Sequence, residues 1–351
     1  MGDRKLQVVG KRIGLGAIWR NQRGMALLIT IMTVALLVAV TIEFHKTTWG
    51  KFLAANNFRV GGQLKTIAYS GVNIAIAVLE KDGVENQFDS FLDSWANLAN
   101  QQFAELFPTG TLRLEVVDLS GRLPINSLVV EKVDGKQIGD EATARELRTL
   151  LFRMLLSGAF AVDNETEARS IVDAIVDWLD EDNNESEYGA ENGYYQSLDK
   201  PYSCKNGPLQ SIEELLLVKG ITPALLFGSS ETKGLADYLT VYRKDGKINL
   251  NTAPSLIIKN LDPLMNDQLV EKIDKYRRDK NNKEHLKDPN WYRSIGGWPG
   301  DIVLNQTILT TKSTFFMIIA TGVFDTLSRR LVANVERLDT NEVNLLGQRM
   351  E

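Results

Sequence analysis

The sequence predicts an α+β protein: one long N-terminal helix packs on a small antiparallel sheet that is interrupted by a large inserted α-helical domain. Three observations carry this prediction. An uncharged apolar run at residues 25–42 leads into helix-spaced apolar positions, strand-like alternation is confined to residues 111–119 and 314–337, and amphipathic helical periodicity fills much of the chain between them. At 351 residues, with a hydrophobic share of 44% and a charged share of 24%, the chain has a globular composition and the length of about two domains. A single cysteine, Cys204, excludes an internal disulfide, and two histidines, His45 and His285, exclude a multi-histidine metal centre. The glycine-rich nucleotide fingerprints and the Gly-x-Ser-x-Gly elbow are absent. The sequence therefore points away from an enzyme.

Charge is unevenly divided. Residues 1–24 carry Arg4, Lys5, Lys11, Arg12, Arg20 and Arg23 against Asp3, or +5 in a chain of net −5, which leaves −10 on residues 25–351. The step lies at the start of the 18 uncharged residues 25–42. As a helix they reach roughly 27 Å, close to the thickness of a bilayer's hydrocarbon core. Preceding cations keep the N-terminus cytoplasmic, so the bulk of the chain lies across the membrane. A cleaved secretory signal has a shorter apolar stretch and a small-residue cleavage site, whereas Thr41-Ile-Glu-Phe-His-Lys46 follows here.

Beyond the span, Ile67, Gly71, Ile74, Ala75, Val78 and Leu79 continue at helical spacing, so one long helix is expected, bent near Gly50 or Gly61-Gly62. In residues 111–119, Leu112, Leu114 and Val116 alternate with polar neighbours and end at Ser120-Gly121, which predicts a strand and a turn. Residues 314–324 and 328–337 form an antiparallel hairpin about a turn at 325–327. Between them, Leu147, Leu150, Leu151, Met154 and Leu155 mark one helix. Asn164 with Glu167 caps a second that carries Ile171, Ile175, Val176 and Leu179, and Ser211 with Glu214 forms a capping box for a third. The expected segments are a leader at 1–24, a span at 25–42, a first part of the sheet domain at 43–130, the insert at 131–245, a second part at 246–338 and a polar tail at 339–351.

The junction Arg20-Asn-Gln-Arg23-Gly24-Met25, a basic leader ending in Gly against an apolar helix, resembles the precursors of type IV pilin-like proteins. The resemblance implies cleavage by prepilin peptidase between Gly24 and Met25, N-methylation of Met25, and a pilin-like fold. Most members carry Glu at the fifth mature position, where its carboxylate pairs with a neighbouring subunit's N-terminal ammonium. Here that position is Ile29, which suits a subunit with nothing ahead of it, because an unpaired carboxylate in hydrocarbon is costly. Together with the helical insert, Ile29 makes the chain resemble the K-type minor pseudopilins of type II secretion.

The insert holds a loop with six carboxylates in twelve residues, Asp180, Glu181, Asp182, Glu185, Glu187 and Glu191. A hard, oxygen-seeking cation would relieve their repulsion. Asp180, Asp182, Asn184 and Glu191 occupy the first, third, fifth and twelfth places of an EF-hand, but Glu185 stands where its sharp turn wants Gly. A solvated acidic surface is the plain alternative. The resemblance to K-type pseudopilins, which carry calcium in this domain, implies one or two structural Ca²⁺ ions, held by a set drawn from Asp180, Asp182, Glu185, Glu187 and Glu191.

Two segments favour a different function. Leu215 to Thr222 resembles half of a helix-hairpin-helix, and Ile248-Asn-Leu-Asn-Thr-Ala-Pro254 resembles the entry of a DNA-binding module. Neither contains the Gly-apolar-Gly turn, and −10 on the mature chain opposes a polyanion. No nucleic-acid partner is expected. The reading reached from the sequence is a bacterial inner-membrane, single-pass subunit with a periplasmic globular part, which caps the type II secretion pseudopilus. Its implied partners are I-type and J-type minor pseudopilins, then an H-type or major subunit, with prepilin peptidase and secreted substrates besides. A minor pilin of a type IV pilus shares the leader and span, and a membrane-anchored DNA-binding protein is the remoter alternative.

Overall fold

The computed structural model describes residues 23–351 except 102, 104, 105, 134, 135, 243 and 244. The greater part of the expected leader, residues 1–22, lies outside the described residues. The chain divides into residues 1–62 and residues 63–351.

Helix α1, Arg23–Glu85, runs unbroken through Gly50 and Gly61-Gly62, so the expected bend is not accompanied by any interruption of the helix. From residue 24 to residue 59 the helix is exposed, apart from half-buried Asn56. From Gln63 the helix belongs to the globular unit and buries Leu64, Ile67, Ala68, Val72, Ala75 and Leu79. Their i, i+3, i+4 spacing makes one apolar face. It packs on the sheet through glycine: a Cβ on Gly71 would sit 2.7 Å from Leu112 Cδ1, and one on Gly322 would run into the Leu64 carbonyl.

Four antiparallel strands form that sheet in the order β1 (Thr111–Asp118), β2 (Phe315–Phe324), β3 (Leu327–Arg337) and β4 (Val343–Met350). Registers such as Leu114 opposite Ala320, and Ile318 opposite Ala333, put the buried residues of β1, β2 and β3 on one face. The β2–β3 hairpin turns at Asp325-Thr326, with Asp325 at φ +50. β4 corrects the expected polar tail: residues 343–350 pair with β3. The strand was obscured because its side chains are mostly exposed and a bulge between Leu345 and Gly347 breaks its alternation.

The described residues between β1 and β2 form a mainly helical region, laced by three short two-stranded pairings: Leu123–Pro124 with Leu239–Thr240, Glu131–Val133 with Lys136–Ile138, and Ile248–Asn249 with Leu309–Thr310. Its principal helices are α2 (Glu141–Leu155), α3 (Glu165–Leu179), α4 (Asn192–Gln196), α5 (Pro223–Phe227), α6 (Ser255–Asn260) and α7 (Asp267–Arg278). The expected edges at 131 and 245 mark no break in packing, since one apolar core links Leu123 and Leu150 to Ile257, Ile273, Trp291 and Leu309. The Asn164 cap forms as expected, accepting from Glu167 N at 2.9 Å, while Glu167 reaches back to Asp163 N. The Ser211 box does not. Residues Ile212–Leu217 are a 3₁₀ turn, Ser211 makes no side-chain cap, and Glu214 accepts from Gln210 N and pairs with Lys205 at 2.6 Å.

The segment 248–254 is a buried polar clasp. Asn249 donates to Asp89 O and Ser313 Oγ, Asn251 donates to Asp89 O and Leu286 O, and Thr252 donates to Asp118 Oδ2. Those amides are spent on protein oxygens, which explains the Asn-x-Asn-Thr pattern without nucleic acid. Beside it, Arg337 on β3 bridges Asp82 of α1 at 3.2 Å and Asp89 at 2.5 Å and donates to Ser313 O. Burial pushes Asp82 up to about 6 and Asp89 up to about 7, with Arg337 acting in the opposite direction on both.

Removing the guanidinium would strand two buried carboxylates. Arg337→Met is expected to cost about 3–5 kcal/mol of unfolding free energy, measured by urea denaturation. The matched change at exposed Arg349 should cost less than about 0.5 kcal/mol.

Candidate metal centre

The acidic loop starts where α3 stops. Buried Ala168, Ile171, Val172, Ile175, Trp178 and Leu179 fix the rotation of α3, which aims Asp177 and Asp180 toward the loop. Asp177 is fully buried and staples the loop to the helix: its carboxylate accepts from Ser186 Oγ at 2.5 Å, Ser186 N at 3.1 Å and Ala190 N at 2.8 Å. Gly189 is required there, because a Cβ would overlap Asp177 Oδ2. From the other side, Lys219 Nζ donates to Gly189 O at 2.7 Å and Tyr188 O at 3.3 Å. The lysine of the hairpin-like segment is thus engaged with loop carbonyls.

Of the five sequence-derived candidates, the structure brings three together. Asp180, Asp182 and Glu191 each offer an oxygen within 4.8 Å of the others. Glu185 and Glu187 are exposed and lie outside this group, because the Asp177 staple at Ser186 and Ala190 holds the middle of the loop against α3. Charges at that separation repel by roughly 3–4 kcal/mol per pair at an effective dielectric near 20. Burial, then Asp182, Asp177 and Glu191, push Asp180 up to about 7, and burial raises Glu191 as well.

The lone pairs are also unspent. Asp180 Oδ1 and Glu191 Oε1 are buried without a hydrogen-bond donor, and Glu191 is only 4% exposed. Buried acceptors are normally satisfied. An all-oxygen donor set with unpaired buried carboxylate oxygens fits a hard divalent cation such as Ca²⁺. A third unpaired buried oxygen is Asn206 Oδ1, on a residue that lines a cavity with Asp180 and Asp182. Sequence reasoning missed it, although Asn206-Gly207 is a turn signal. The other group of three carboxylates, Asp82, Asp89 and Asp93, already holds internal cations, Arg337 and Lys283.

Gly24, Met25 and Ile29 lie in the first turns of α1, with Met25 58% and Ile29 62% exposed. Their helix is long and apolar enough to cross a membrane, with a mean hydropathy of 2.7 in its most apolar 18-residue window.

Comparison with known proteins assigns the fold and the family. Residues 121–242 match the family profile described as type II secretion system (T2SS), protein K. Type II secretion system protein K of Aeromonas hydrophila is 30% identical over 235 residues, spanning 66% of this chain and 68% of that protein. This chain belongs to the type II secretion system protein K family. The protein K of Pectobacterium carotovorum subsp. carotovorum is 27% identical over 239 residues, covering 66% of this chain and 67% of that one. A solved structure, the GspK-GspI-GspJ complex from the enterotoxigenic Escherichia coli type 2 secretion system, superposes with a TM-score of 0.61 at 15% identity, covering 85% of this chain and 99% of its counterpart. The chain is thus a K-type minor pseudopilin, with the long N-terminal helix, small antiparallel sheet and helical domain expected from its sequence.

The staple at Asp177 can be tested without metal. Gly189→Ala is expected to destabilise the protein by about 1–3 kcal/mol through overpacking and to open the loop to limited proteolysis. Gly193→Ala, whose Cβ would meet nothing within 4 Å, should do neither.

Proposed function

We propose that this K-type pseudopilin caps the tip of the periplasmic pseudopilus and supports its assembly and protein secretion across the outer membrane. It acts as a structural subunit and not as an enzyme. The observation that carries the proposal is the placement of the whole helical region in the β1–β2 connection of a pilin-like unit, in a chain of the protein K family. That bulk obstructs a further subunit stacking ahead. Ile29 agrees, because a leading subunit has no upstream ammonium for a carboxylate to pair with. Residues 25–42 anchor it in the bacterial inner membrane, with the N-terminus cytoplasmic and the globular unit periplasmic. The related complex contains GspI and GspJ, which supports I-type and J-type pseudopilins as partners here, with the H-type or major subunit below and secreted substrates above. Co-purification of the full-length chain with both minor pseudopilins should give an equimolar complex; failure to recover either removes the tip assignment.

Prepilin peptidase cleaves after Gly24 and Met25 is N-methylated in this reading. Mass spectrometry of protein from bacterial membranes should find a chain beginning at N-methyl-Met25. A first residue anywhere else contradicts it.

Asp180, Asp182 and Glu191 hold a structural Ca²⁺, whose charge replaces the protons that burial otherwise retains. The folded-state value of Asp180 lies above its ordinary 3.8, so its contribution to the stability of the metal-free protein is complete below about pH 4 and is lost as pH rises through about 7. Calcium should therefore raise the melting temperature more at pH 8 than at pH 5. At a hundredfold excess over Kd the gain is about 2.7 kcal/mol, and no shift at millimolar calcium at either pH would remove the ion.

A further inference from the structure

The segment carrying Asn206 is remote in sequence from the acidic loop yet folded onto it. Asn206 adopts φ +49, a left-handed conformation that Asn tolerates better than most residues. Its amide nitrogen donates to Asp182 O and, at 3.4 Å, to Asn183 Oδ1. Its amide oxygen is buried and without a donor, and the residue lines a cavity together with Asp180 and Asp182. Two neighbouring amides tie the same segment down: Cys204 N donates to Asn192 Oδ1 at 2.8 Å, and Gly207 N donates to Trp178 O at 3.3 Å. Two residues further on, Leu209 exchanges hydrogen bonds with Asn126, whose amide also donates to Val241 O. Asn126 belongs to the single turn Ile125–Leu128 that follows β1.

We propose that Asn206 Oδ1 is a ligand of the same divalent cation as Asp180, Asp182 and Glu191, so that the ion clasps residues 203–209 to the acidic loop and, through Leu209 and Asn126, to the chain leaving β1. This rests on the calcium reading above and extends it to a residue outside the loop. Three features single out Asn206. Its oxygen is the uncharged counterpart of the orphaned carboxylate oxygens, a neutral amide carbonyl is a usual calcium donor, and its left-handed backbone is maintained although a non-glycine residue disfavours it. The cation thereby bridges two stretches of chain instead of ordering one loop.

Two substitutions separate a ligand from a structural amide. Asn206→Gly keeps the left-handed backbone and removes the oxygen; Asn206→Asp keeps an oxygen donor and loses the N–H bond to Asp182 O. The full-length chain in detergent is titrated with CaCl₂ by calorimetry, and hydrogen exchange of the Cys204, Gly207 and Leu209 amides is followed with and without calcium. The expected result is at least tenfold weaker binding for Asn206→Gly, binding by Asn206→Asp equal to or tighter than wild type, and calcium-dependent protection of the three amides in wild type that Asn206→Gly lacks. Wild-type affinity in Asn206→Gly, or equal losses in both variants, overturns the role of Asn206 and leaves the three-carboxylate site standing. No calcium binding by the wild-type chain overturns that site, and this inference with it.

Discussion

The globular unit depends on keeping buried carboxylates company. Arg337 reaches from the end of β3 to Asp82 near the end of α1 and to Asp89 just beyond it, and lies with its guanidinium 5.1 Å from the centre of the Phe316 ring. A pair of this kind is weak evidence of net stability, but each partner becomes costly once the other is gone. The arrangement therefore specifies where the helix must stop and which strand it must meet. Asp118 extends it at the end of β1, accepting from Ser120 N, Thr252 Oγ1 and Ser313 Oγ. Helix, sheet and the strand-like return of the helical region thus converge on one polar junction inside an otherwise apolar core.

The acidic loop follows the same rule with a different outcome. At the helix–sheet junction the compensating cations are side chains of the protein, Arg337 and Lys283. Around Asp180 and Glu191, Lys219 is occupied with the carbonyls of Tyr188 and Gly189, and buried oxygens are left over. Two carboxylate groups of similar density thus differ in whether the chain neutralises them itself. That difference cannot be seen from a count of acidic residues.

The sequence made the local elements legible and left the long-range ones hidden. The apolar run of α1, the alternation of Leu112, Leu114 and Val116, and the Asn164 cap are signals contained within a few residues, and each appears where it was expected. β4 was missed because an exposed edge strand with a bulge has no apolar period to detect. The continuity of the helical region past residue 245 was missed because core membership is a property of packing between distant segments. At the candidate site, charge density located the loop, but Asp177 as its staple and the hydrogen bond from Asn206 to Asp182 O depend on side-chain direction and on a left-handed backbone. The family resemblance offered Glu185 and Glu187 equally with the other three.

The position of the helical region also governs how the protein is made. β1 pairs Thr111 with Val323 and Asp118 with Phe316, so its hydrogen-bonding partner follows it in the chain only after the entire helical region. Loop-closure entropy must be met before such distant contacts return any stabilisation. The intervening helices possess their own apolar core and can collapse first, bringing residues 118 and 315 close enough for the sheet to zip. Until that closure, β1 has no strand beside it. β1 therefore meets its partner strand only after the whole helical region has been synthesised.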